Sequence, residues 1–141
     1  MPVEGLSHLT FIVGDLERTA RLFREGLGAE EIYDSRGEDH SLSREKFFLL
    51  GGVWMVAMEG ETPRHRSYRH TAFRVDETEL PGIEARLTAL GVELLSGRPR
   101  VEGEGRSLYF YDFDNHLFEL HAGTLEQRLE AYGVGRNQQE E

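Results

Sequence analysis

Apolar and polar residues alternate along residues 5–13, GLSHLTFIV, a period-two pattern rich in β-branched and aromatic side chains that predicts a strand. Asp15 stands where a helix N-cap belongs, and Leu16, Ala20, Phe23 and Leu27 then recur at helical spacing as far as Gly28. Strands are predicted over 29–35, 46–50 and 53–58, with a polar loop over 36–44 and Gly51-Gly52 as a turn. The order is β-α-β-β-β. Residues 61–67, with Pro63 and clustered charge, read as a linker, after which the pattern restarts. YRHTAFRV, residues 68–75, repeats the first strand with His70 where His8 stood. Pro81 suits a first helical turn, Ile83, Leu87 and Leu90 form the apolar stripe, and Gly91 ends it. Leu90-Gly91-Val92-Glu93 echoes Leu27-Gly28-Ala29-Glu30.

A strand over 92–95, a Gly/Arg/Glu-rich loop over 97–106 and the stretch SLYFYDFDNHLFELHAG complete the second unit. In that stretch, apolar runs at 108–111 and 117–121 flank Asp112-Phe113-Asp114-Asn115-His116, which predicts a hairpin because Asp and Asn tolerate the positive φ of tight turns. Thr124 and Gln127 fit a capping box for a short helix with Leu125, Leu129 and Tyr132 on one face, and 133–141 reads as a frayed tail. The chain is therefore an α+β tandem duplication: a first β-α-β-β-β module over 1–60, a linker over 61–67, a second module over 68–123, and a terminal helix and tail over 124–141. Neither half has a core large enough to stand alone, so the two are expected to share a sheet or to exchange modules with a second chain.

Composition narrows the function. The 141 residues carry a net charge of −10, which disfavours nucleic acid and anionic membranes as partners. No apolar run approaches the ~20 residues that span a bilayer, and the N-terminus lacks a signal-peptide layout, so a cytoplasmic protein is expected. Without cysteine there is no disulfide, thiolate ligand or cysteine nucleophile. Lys46 is the only lysine among 16 basic residues; the rest are arginine, whose fork of donors suits oxyanions.

The offset of 62 residues from His8 to His70, and of 63 from Gly60 to Gly123, pairs strand positions across the repeat. Counting back from the two glycines, Glu119 corresponds to Val56. Glu119 sits among Leu117, Phe118 and Leu120, and a carboxylate buried there must be paired, protonated or bound to a metal. His8, His70 and Glu119, with Val56 filling the fourth corresponding position, make a two-histidine, one-carboxylate set with open positions, as catalytic Mn(II), Fe(II) or Zn(II) requires. His65 in the linker and His116 in the hairpin turn are expected to be solvated, and His121 shares a strand face with Glu119; His40 is a further histidine in the loop.

With these residues in place the sequence resembles the vicinal-oxygen-chelate superfamily, and within it the fosfomycin resistance proteins, through GLSHLTFIV, YRHTAF and SLYFYDFDNHLFELHAGTLEQRL. The resemblance implies paired β-α-β-β-β modules and a metal site of His8, His70 and Glu119. It also implies a module-swapped homodimer in which His8 comes from the partner of the chain supplying His70 and Glu119. The bacillithiol-type transferases carry a cysteine beside the first ligand, where this chain has Thr10. The glutathione transferases carry a serine-rich potassium loop, which here reads VEGEGRS with Gly103 in place of a serine. The hydrolase subtype, FosX, has a glutamate just before its third strand, and SLSREKFFL supplies Glu45, flanked by Arg44 and Lys46 at the edge of an open loop.

The resemblance thus implies a Mn(II)-dependent epoxide hydrolase, other divalent metals being possible, that adds water to C1 of fosfomycin. Glu45 would be the base and Thr10 would hydrogen-bond near the oxirane oxygen. Arg128, Tyr109 and Ser107 would hold the phosphonate; of Arg98, Arg100 and Arg106 in the preceding loop, the sequence does not say which points inward. The need for a base follows from chemistry alone, because water, with a pKa of about 15.7, is a poor nucleophile at neutral pH. The alternatives are glutathione transfer to the same epoxide, another reaction of the superfamily such as glyoxalase, epimerase or dioxygenase chemistry, and a non-enzymatic protein that sequesters a drug.

Overall fold

The computed structural model describes residues 2–96 and 98–134. Gly97 of the predicted loop and residues 135–141 of the predicted tail lie outside them. The chain divides into two compact units, Met1–Arg66 with Asp112–His116, and Ser67–Tyr111 with the chain from Leu117 onward.

In the first unit His8–Val13 (β1) leads to the helix Leu16–Arg21 (α1), then to the strands Glu30–Asp34 (β2), Glu45–Leu50 (β3) and Val53–Glu59 (β4). They form a four-stranded sheet in the order β1-β4-β3-β2, with β1 parallel to β4 and the other pairs antiparallel. Asp15 caps α1 through its side chain, accepting from the Arg18 amide. The helix then loosens into a π turn over Leu22–Gly26, which changes the phase of the apolar stripe. Leu22 and Phe23 are both buried and Leu27 is only half-buried, where uniform helical spacing predicts Phe23 and Leu27. Phe23 meets Phe11 and Phe48 edge to face, with ring centroids 6.1 and 5.2 Å apart, and so joins the helix to one face of the sheet.

The second unit repeats the plan. His70–Arg74 (β5) precedes the helix Leu80–Ala89 (α2), and Glu93–Leu95 (β6), Arg106–Tyr111 (β7) and Leu117–Ala122 (β8) follow. The sheet order is β5-β8-β7-β6, again with the first and last strands parallel. Leu80, Ile83 and Leu87 of α2 are buried, as are Phe110, Phe118 and Leu120, and Phe118 stacks on both Phe73 and Phe110. Leu125–Ala131 (α3) closes the unit, its capping box complete between Thr124 and Gln127. The expectation of one shared sheet is not met within the chain, which makes two separate four-stranded sheets.

The hairpin turn carries its positive φ at Asn115, 68°. Its residues belong by contact to the first unit: Asp114 Oδ1 accepts from the Gly14 amide, and Arg18 lies over the Phe113 ring at 4.4 Å. His116 is not a solvated turn residue. Its side chain is 16% exposed, Nδ1 lies 2.7 Å from Asp112 Oδ2, and the ring meets Phe11 edge to face. A polar sequence context concealed an acid partner four residues away.

Phe23 contributes to the first core from a fully buried position. Phe23→Ala should lower the unfolding free energy by about 3–5 kcal/mol, read by urea denaturation, through lost burial and the cavity left between helix and sheet.

Candidate metal centre

Cross-strand partners point to the same side of a sheet, so register alone assigns the faces. In the first sheet Thr10 pairs with Val56 and Val56 with Phe47, His8 with Trp54, and Glu45 with Met58. His8, Thr10 and Glu45 therefore share the face opposite α1. In the second sheet Ala72 pairs with Glu119 and Glu119 with Tyr109, His70 with Leu117, and His121 with both Arg74 and Ser107. His70, Glu119, His121, Tyr109 and Ser107 share the corresponding face. The register also places Val56 where the second sheet has Glu119, as counting along the repeat predicts.

Glu119 is 3% exposed, and its charge is compensated from several sides. Oε1 lies 3.1 Å from His70 Nε2. Oε2 accepts from Ser107 Oγ at 2.6 Å and from Arg100 Nη2 at 3.3 Å. Burial pushes its pKa up, but the Ser107 and Tyr109 hydroxyls and the charges of Arg100 and His70 outweigh that, and the carboxyl is held below the usual range. Tyr109 is itself 2% exposed, and burial with its hydrogen bonds to Tyr68 and Glu119 raises its pKa strongly, so it stays a phenol. His121 is pushed down by burial and by Arg128, which favours neutral imidazole.

The geometry between His70 and Glu119 calls for a cation. The Tyr68 carbonyl lies 2.7 Å from His70 Nδ1 and can only accept, so Nδ1 carries the proton. In the neutral ring Nε2 then presents a lone pair to a carboxylate oxygen 3.1 Å away. Two acceptors that close require either a proton on Nε2 or a metal ion, and imidazole with carboxylate suits a first-row divalent metal. His8 lies in the other unit, its ring tilted against Trp54 with centroids 4.3 Å apart and Nδ1 held by Ser7 Oγ at 2.9 Å; among the described residues its Nε2 makes no polar contact. No three His, Asp or Glu side chains of the described residues form a preformed cluster.

Glu45 differs from the sequence reading. It stands at the edge of the loop but as the first residue of β3, and it is buried rather than open, 6% exposed. Its amide donates to Ser35 Oγ and its carbonyl accepts from the Ser35 amide, both at 3.1 Å, so the backbone is pinned on both sides. Lys46, on the opposite face, is buried among Glu31, Glu17 and Asp34 at 3.0–3.5 Å. The Glu45 carboxylate has no hydrogen bond or ion pair with the described residues.

The loop before β7 holds residues that the sequence could not rank. Arg100 is the inward one, reaching Tyr109 at 2.8 Å as well as Glu119. Arg98 pairs with Glu104, while Arg106 is exposed, 3.7 Å from Glu77. Glu104 is fully buried and is held by Arg98, by Arg100, by the Val101 amide at 3.0 Å and by Tyr132 at 2.9 Å. Arg128 Nε lies 3.6 Å from the same carboxylate. The sequence signals for Glu104 are its place between Gly103 and Gly105 and its presence in the loop VEGEGRS. A side chain at Gly105 would put Cβ 2.6 Å from the Ala122 carbonyl, so the chain can pass β8 this closely only as glycine.

Residues 5–120 match the model of the Glyoxalase/Bleomycin resistance protein/Dioxygenase superfamily. The fosfomycin resistance protein FosX of Listeria monocytogenes is 56% identical over 130 residues, covering 92% of this chain and 98% of that protein. FosX of Mesorhizobium japonicum is 54% identical over 127 residues, 90% and 91% of the two chains. A crystal structure of a variant of the L. monocytogenes protein, complexed with Mn(II) and 1S,2S-dihydroxypropylphosphonic acid, matches with a TM-score of 0.84 at 53% identity, over 92% of this chain and 98% of that one.

The Arg98 hydrogen bond, opposed by burial and aided by Val101, Tyr132 and the Arg98 charge, holds Glu104 far below its ordinary value of 4.5. Its folded pKa being depressed, the contribution is complete above the unfolded value and is lost as pH falls through and below 4.5. Glu104→Gln should cost about 2–3 kcal/mol at neutral pH, below the full cost of breaking a buried pair because Arg98 is partly exposed. In urea titrations from pH 7 to 3 the gap between wild type and variant should narrow.

Proposed function

The chain belongs to the Glyoxalase/Bleomycin resistance protein/Dioxygenase superfamily, and on that footing we propose that it is a fosfomycin resistance enzyme, a Mn(II)-dependent epoxide hydrolase that opens the fosfomycin oxirane with water at C1. Identity above 50% to two FosX proteins over nearly the whole chain supports the substrate. The observation that carries the reaction is Glu45. A carboxylate pinned at a strand start, without a partner among the described residues, and on the same sheet face as Thr10 and His8 is what activation of water needs.

His8, His70 and Glu119 would hold the divalent cation, with Mn(II) preferred because it is bound in a FosX crystal structure. Bound there, the cation would act as a Lewis acid toward the phosphonate and oxirane oxygens. Glu45 accepts a proton from water as the water oxygen bonds to C1. The C1–O bond of the ring breaks, its electron pair stays on the oxirane oxygen, and protonation of that oxygen completes the diol. The Thr10 hydroxyl donates toward that oxygen. Arg128, Tyr109 and Ser107 hold the phosphonate, with Arg100 beside them. His8 belongs to the first unit and His70 and Glu119 to the second, so we read the working form as a cytoplasmic, module-swapped homodimer that joins His8 of one chain to the other two ligands of its partner.

The test is a thiol-free incubation of protein, Mn(II) and fosfomycin followed by phosphorus NMR. Diol should form without thiol, and Glu45→Gln should slow it by about 100-fold or more while leaving Mn(II) uptake intact. A product seen only when glutathione is added would replace hydration with thiol transfer. Absence of stoichiometric Mn(II) uptake would point instead to a drug-binding protein.

A further inference from the structure

Beside Glu119 runs a hydrogen-bond chain whose direction is fixed by its two ends. Arg128 Nη2 lies 3.3 Å from His121 Nε2, and a guanidinium can only donate, so Nε2 accepts and the imidazole proton sits on Nδ1. Nδ1 lies 2.7 Å from Ser107 Oγ and therefore donates to it. Ser107 in turn gives its own hydrogen to Glu119 Oε2, since an ionised carboxylate only accepts. His121 Nδ1 also lies 3.5 Å from Glu119 Oε2, so Ser107 at 2.7 Å is its nearer acceptor. The ends are anchored independently: Arg128 sits in the last turn of the short helix α3, just past the capping box, and its Nε faces Glu104. His121 has room because position 123 is glycine, where a Cβ would lie 2.7 Å from His121 Nε2.

We propose that His121 is a positioning residue for the metal centre: its Nδ1–H, acting through the Ser107 hydroxyl, turns the Glu119 carboxylate, and Arg128 selects the tautomer that allows it. With Oε2 engaged by Ser107 and Arg100, Oε1 is the oxygen left facing His70 Nε2. The carboxylate is thus divided into one oxygen for the protein and one for the cation. The inference rests on reading Glu119 as a metal ligand. With its one hydrogen committed to Glu119, Ser107 takes an orienting part while it lines the phosphonate site, and the relay explains a histidine whose side chain is 12% exposed and has no part in the hydration itself.

Mn(II) affinity, followed by the EPR signal of free Mn(II) during titration, separates the two ideas. His121→Leu should weaken binding by about 10–100-fold, the usual effect of losing a partner that orients a metal ligand. His121→Asn, whose amide N–H can reach Ser107, should recover most of that loss. Ser107→Ala should weaken binding similarly, and adding His121→Leu to it should cost little more, because both changes break one chain. Thermal melts report whether each variant is folded; should His121→Leu fail to fold, the Asn and Ala variants carry the comparison. Unchanged affinity in His121→Leu, equal losses for Leu and Asn, or losses that multiply in the double variant would overturn the relay. A wild type that takes up no Mn(II), or a Glu119→Ala that binds as tightly as wild type, would instead overturn the ligand assignment beneath it.

Discussion

A carboxylate in the middle of an apolar strand is the constraint around which the second unit is arranged. Glu119 lies between Phe118 and Leu120, both in the core, and removing its charge from water costs several kcal/mol unless partners replace the solvent. Those partners come from every neighbouring element: His70 from β5, Ser107 and Tyr109 from β7, and Arg100 from the loop before it. What looks like a binding site is also the condition for this strand to fold with its charge intact.

A second buried carboxylate supports the first. Glu104 gathers Arg98 and Arg100 and lies against Arg128, so the same guanidinium groups that approach Glu119 and His121 are oriented from behind. In a protein of net charge −10 this local excess of arginine is what makes a phosphonate a plausible guest. Arginine suits the task because its planar fork can face a structural carboxylate with one nitrogen and a ligand with another, as Arg100 divides itself between Glu104 and Glu119.

The sequence made the architecture readable because the duplication wrote each signal twice. His8 and His70, Gly28 and Gly91, and the correspondence of Val56 to Glu119 are periodic facts, and the sheet registers agree for the strand positions among them. The details it hid depend on non-local contact. No spacing rule announces that helix α1 ends in a π turn, and a glutamate between Arg44 and Lys46 reads as solvated until β2 and β4 close around it. Arg100 could not be told from Arg98 and Arg106 because a loop has no periodicity to fix direction. His116 seemed exposed for the related reason that its shelter, Phe11, lies far away in the chain.

Val56 gives this arrangement an evolutionary reading. A duplicated gene begins with identical halves, and a fully symmetric descendant would present an acid at both equivalent strand positions. A single base change in a valine codon gives a glutamate or an aspartate codon, so a carboxylate at position 56 is one point mutation away. A protein that stores a metal would gain from that step, whereas one that must exchange substrate at the metal would lose its reaction. Among the many positions at which the two halves differ, this one in β4 is where a carboxylate as fourth ligand would turn an open ligand set into a closed one.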